Sequence, residues 1–90
     1  MIEVKKKNSQ EFVVTVSEKD KRTEHAVTVD DEYYKNLTQG AITKEELIKR
    51  SFGFLLEREP KESILSKFNL RIIKNYFPEF EGEMSSNLKR

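Results

Sequence analysis

The chain has 90 residues, 36% of them hydrophobic, with 17 basic and 16 acidic side chains and a net charge of +1. That length supports one core rather than two. With no cysteine, disulfides, thiol chemistry and cysteine-type zinc sites are excluded, and a single histidine, His25, excludes a histidine-rich metal site.

The first third reads as strands. Ile2-Glu3-Val4-Lys5 alternates between apolar and charged, with Asn8-Ser9-Gln10 as its turn. Phe12-Val13-Val14-Thr15-Val16 is β-branched and aromatic throughout. After a polar link from Ser17 to Arg22, alternation resumes from Thr23 to Val29, placing His25, Val27 and Val29 on one face and Glu24, Ala26 and Thr28 on the other. The link contains no Asn-Gly or Asp-Gly pair, so the turn type is not specified. A lone hairpin is marginal in water. The expectation is therefore a small antiparallel sheet over residues 2–29, a hairpin or a three-stranded meander, covered by the C-terminal two-thirds of the chain.

That longer portion reads as three or four helices. Asp30 or Asp31 can cap a short one through Leu37, with Gly40 as its stop. Thr43-Lys44-Glu45-Glu46 has the form of a capping box and opens the longest helix, expected over about 43–59, where Pro60 ends it. Leu47, Ser51, Phe54 and Leu55 share its apolar face, flanked by Ile48, Phe52 and Leu56. An arc that wide suits a central helix. Ile64, Leu65 and Phe68 recur at helical spacing, and Asn69 can cap a last helix from Leu70 to Phe77, stopped by Pro78. These elements define an α+β fold with one domain over residues 1–81, and a disordered tail is expected over 82–90.

Candidate chemistry is sparse. The sequence has no nucleophilic cysteine, no glycine-rich phosphate loop and no local partner for His25, which reads as an ordinary strand residue. The acidic runs Asp30-Asp31-Glu32 and Glu45-Glu46 invite a carboxylate-dyad reading, but both fall at helix starts, where the helix dipole alone accounts for negative charge. No catalytic residue, metal or organic cofactor is expected, and no small-molecule ligand. The longest apolar stretch, Phe52 to Leu56, is far short of the ~20 residues a membrane helix needs. The charged N-terminus has no apolar segment behind it, so neither a signal peptide nor a membrane association is expected, and the cytoplasm is the expected compartment.

Two binding readings remain. The near-balance of charge speaks against non-specific nucleic-acid binding, yet most of the basic excess lies in the helical half. A stripe joining Lys44, Lys49, Arg50, Lys67, Arg71 and Lys74 is the candidate nucleic-acid surface. The segment Ser63 to Tyr76 looks superficially like a helix-turn-helix, but its second helix is short and largely apolar, unlike one built to enter a groove. The preferred reading is a non-catalytic protein-interaction or accessory role, through a partner protein or self-association. Its candidate contacts are Gly53, a glycine on the polar side of the main helix, and Phe80, an aromatic beyond the last helix stop.

The strings Ser51-Phe52-Gly53-Phe54-Leu55-Leu56-Glu57-Arg58-Glu59, Ser63-Ile64-Leu65 and Tyr76-Phe77-Pro78-Glu79-Phe80-Glu81 give the C-terminal half a recognisable character. With the strand pair and Tyr33-Tyr34 before them, they resemble a group of short, uncharacterised prokaryotic proteins over residues 11 to 81. The resemblance implies a prokaryotic cytoplasmic setting. It assigns no activity and no functional residue.

Overall fold

The structure is a computed structural model and describes residues 1–86. Three antiparallel strands come first: β1 (Ile2–Lys6), β2 (Glu11–Glu18) and β3 (Lys21–Thr28). They form the expected meander. Asn8 builds the first turn, its Oδ1 accepting from the amides of Gln10 (3.0 Å) and Glu11 (2.9 Å). The second hairpin is tighter than the polar link suggested. Glu18 pairs directly with Lys21, leaving only Lys19 and Asp20 as the loop. Lys19 takes a left-handed φ of 55° to close it, without glycine to relieve the strain.

Alternation sets the two faces of the sheet. Phe12, Val14 and Val16 of β2 and His25 and Val27 of β3 point inward and are buried, as does Val29 beyond the strand. The opposite face, carrying Lys5, Val13, Thr15, Glu24 and Ala26, has no helix against it.

Two helices follow: the second lies on the sheet, and the first packs against the last described helix, Phe80–Ser86. α1 (Asp31–Thr38) ends where Gln39 and Gly40 both turn left-handed. Asp30 stands at its N-cap but makes no capping bond; its carboxylate instead meets Asn69 Nδ2 (3.2 Å) and Arg71 (3.5 Å). α2 (Lys44–Leu56) starts as expected, with Thr43 Oγ1 accepting from the Glu46 amide at 3.1 Å. The reciprocal half of the capping box is not made, because the Glu46 carboxylate pairs with Arg50 one turn on (3.2 Å). Leu47, Ile48, Phe52, Phe54 and Leu55 of α2 are buried, so this helix is the core's spine. It stops at Leu56, three residues before the expected end. There the amides of both Arg58 and Glu59 bond to the Leu55 carbonyl, an irregular last turn leading to extended Pro60.

The segment after Pro60 departs from the expected helix. A 3₁₀ turn (Lys61–Ser63) leads to a short strand, β4 (Lys67–Asn69), which pairs in parallel with β3, Phe68 opposite Val27. The sheet is thus four-stranded in the order β1-β2-β3-β4. The spacing Ile64, Leu65, Phe68 fits a helix on local pattern, but the unpaired edge of β3 offers Phe68 both a ladder and the core, and tertiary pairing wins. Asn69 does act as a cap, its side chain accepting from the Arg71 amide at 3.1 Å. The element it opens is a 3₁₀ turn (Leu70–Ile72) continuing into one turn of helix, α3 (Ile73–Tyr76).

The last element corrects the expectation of a disordered tail from residue 82. Phe80–Ser86 is a helix, α4, with Phe80 and Met84 buried. Phe80 packs edge-on against Phe54 at 5.3 Å between ring centroids, and Met84 holds the next turn down. Arg58 fastens it from outside: its guanidinium lies 3.6 Å over the Phe54 ring and reaches Glu79 (3.1 Å) and Glu83 (3.0 Å). The remainder of the expected tail, 87–90, lies outside the described residues. The chain is therefore an α+β domain with all its helices on one side of the sheet.

Candidate functional site: an apolar cleft beside β4

The irregular stretch between α2 and α3 leaves one part of the core incompletely covered. A helix over 62–68 would have laid a continuous apolar face there. The chain instead turns through Ile64 into Leu65, buried and exposed in succession as in any extended segment. Leu55 from the end of α2, Glu59 from the turn after it, Phe68 from β4, and Ile72 and Phe77 around α3 line a cleft of about 120 Å3. Leu65 and Tyr76 stand on its sides, 47% and 65% exposed, the most exposed large apolar side chains among the described residues apart from Met1. Single exposed apolar residues are ordinary; here two of them flank one apolar hollow.

The cleft wall is held from behind by His25. Its Nδ1 lies 2.7 Å from the Leu65 carbonyl and its Nε2 2.8 Å from Thr23 Oγ1. A carbonyl can only accept, so Nδ1 carries a proton. The ring, 2% exposed and packed at 5.3 Å on Phe52, ties β3 to the loop that forms the cleft. Both nitrogens are engaged and neither faces solvent, which leaves His25 a structural role rather than that of a general base.

Three other titratable groups, Asp31, Tyr33 and Lys61, are likewise engaged. Asp31 pairs with Lys44, whose hydrogen bond and charge hold the Asp31 carboxyl below the usual carboxylate range. Burial raises the Tyr33 phenol well above its ordinary value, helped by its 2.9 Å hydrogen bond to Glu81 and that group's charge. Lys61 is buried yet charged: desolvation works against its ammonium, but hydrogen bonds and attraction from Glu62 and Glu18, each at 3.2 Å, outweigh it and raise its pKa. Among the described residues no three acidic or histidine side chains converge as a metal site would require.

The residues singled out in the sequence fall elsewhere. Phe80 cannot be an exposed anchor, since it is fully buried against Phe54. Gly53 is half-exposed, and a side chain built there would meet nothing within 4 Å, so no backbone of this chain approaches it. The six cations of the candidate nucleic-acid stripe are not gathered. Lys44 and Arg50 pair with Asp31 and Glu46, Arg71 and Lys74 with Asp30 and Glu81. Lys49 faces β1 and Lys67 lies on β4, at opposite edges of the sheet. A second, larger hollow of about 420 Å3 lies between β1 and the start of α2; apolar Met1, Ile2 and Val4 line it together with charged Glu3, Glu45, Glu46 and Lys49, so its wall is mixed.

Sequence reasoning missed the cleft because it assigned Leu65, Ile72, Tyr76 and Phe77 to core faces of helices that do not form at that length. The available signal was Tyr76, large and amphipathic, two residues before Pro78. Compared with family models, curated proteins and solved structures, the chain has no match.

Proposed function

We propose that this is a non-catalytic cytoplasmic interaction domain that receives an apolar side chain of a protein partner in the cleft beside β4. The observation that carries this reading is the pairing of exposed Leu65 and Tyr76 across one apolar hollow. Anchoring of a partner commonly relies on a few apolar or aromatic residues around such a pocket. The cleft, at about 120 Å3, falls below the roughly 300 Å3 at which small-molecule pockets begin. That favours a side chain over a cofactor. The engagement of both His25 nitrogens and of Asp31 supports a role without catalysis. The pairing of four of the six candidate cations supports a protein partner over nucleic acid. The lack of cysteine, together with the lack of any described helix long and apolar enough to cross a membrane, supports the cytoplasmic setting.

Affinity capture from the native cell tests this reading with two variants. A protein partner should be recovered by the parent and by Arg71→Ala, and lost with Tyr76→Ser. Recovery of nucleic acid, with retention falling steeply as salt rises, would overturn it.

A further inference from the structure

Resting on that docking reading, the geometry points to the chemistry of the occupant: a peptide segment in which one bulky apolar side chain is closely followed by lysine or arginine. An apolar cavity of roughly 150 Å3 accepts one benzene. A cleft of about 120 Å3 walled by Leu55, Phe68, Ile72 and Phe77 is smaller than that and suits one leucine or methionine side chain.

The preference for a cation comes from Glu59, the one acidic or basic residue lining the cleft. Its side chain is half-buried at the apolar wall, and among the described residues it forms no ion pair. Its neighbours differ. Glu57, Glu79 and Glu83 all pair with Arg58, and Glu62 pairs with Lys61. The cations nearest to Glu59 in sequence are thereby turned toward other carboxylates. Arg71 and Lys74, outside the cleft lining, engage Asp30 and Glu81. A half-exposed carboxylate beside the apolar anchor site, without a counter-charge among the described residues, favours a cation brought by the ligand.

Two backbone acceptors beside the cleft are already occupied. The Leu65 carbonyl is taken by His25, and the Ser66 carbonyl by the Ala26 amide at 2.8 Å. Side chains therefore make the contacts, the apolar anchor in the cleft and the cation at Glu59.

The test is an amide NMR titration with three short capped peptides in a glycine–serine background, carrying at their centre leucine–lysine, leucine–glutamate or alanine–lysine. The leucine–lysine peptide should shift the amides of Leu65, Ile72 and Tyr76 saturably. Exchanging an attractive for a repulsive charge at a partly screened site should make it bind about tenfold tighter than leucine–glutamate. Alanine–lysine should not saturate. Glu59→Gln, an isosteric change whose spectrum reports its folding, should bring the two leucine peptides to within about twofold of each other. Equal affinity of the two leucine peptides for the parent would overturn the charge inference while leaving an apolar docking cleft. Failure of every peptide to give saturable shifts would overturn the docking reading as well. Concentration-dependent shifts of the same amides without peptide would give the cleft to a second copy of the chain and overturn the proposal.

Discussion

Replacing Phe80 with alanine is the sharpest perturbation of the fold, because it separates a packed C-terminal helix from a loose tail. Phe80 has no exposed surface and its ring lies edge-on to Phe54 at 5.3 Å. Truncating a phenylalanine buried in this way costs about 3–5 kcal/mol, the lost transfer energy plus the cavity left behind. A domain of this length has a total stability of about 5–13 kcal/mol. The change should therefore remove a quarter or more of it. Urea unfolding followed by circular dichroism measures the loss as a fall in midpoint at nearly constant slope. The edge-to-face contact adds a second reading: a double-mutant cycle with Phe54→Ala should give a coupling of about 0.5–1.5 kcal/mol. If Phe80→Ala cost less than about 0.5 kcal/mol, the value for an ordinary surface position, α4 would not be part of the core.

Three further changes test other parts of the structure. Lys19→Gly should stabilise the protein by about 0.5–1 kcal/mol by relieving the left-handed φ in the second hairpin, read from the same urea curves; a loss of stability would contradict that backbone conformation. His25→Phe should cost about 1 kcal/mol, because it leaves the partly buried Leu65 carbonyl and Thr23 hydroxyl without their partner, and should shift the Leu65 amide resonance; an unchanged loop would show that His25 does not hold it. Of the three tyrosines, Tyr33 should ionise last in an ultraviolet difference titration. Its folded pKa is raised, so its contribution to stability is complete below the ordinary tyrosine range and is lost as pH climbs through the folded value. Tyr33→Phe should remove that late step; a titration in which all three tyrosines ionise together would contradict the burial assigned to Tyr33.

The parts legible in the sequence were those with repeated, mutually consistent signals. The meander declared itself through the β-branched run at Phe12 to Val16 and the alternation at Thr23 to Val29. α2 did so through the Thr43 cap and the apolar spacing from Leu47 to Leu55. The segment from Lys61 to Phe77 was not legible. Its apolar residues are spaced for a helix, but Phe68 gains more by joining the free edge of β3, and that gain depends on a strand far away in the chain. Phe80 and Met84 misled for the opposite reason. They are four apart on a two-turn helix with little else apolar, a pattern too short to stand out, and their burial is decided by Phe54. The cleft arises where the β4 pairing brings the Ile64 to Phe77 segment against the end of α2, so no local motif encodes it.

The central claim is that a protein partner seats itself between Leu65 and Tyr76, and in-cell photocrosslinking tests it most directly. A photoreactive phenylalanine analogue replacing exposed Tyr76 should crosslink to one discrete protein. The same analogue replacing Lys35, exposed on α1, should not. Discrete adducts from both positions, or from neither, would contradict the assignment of the cleft as the docking site.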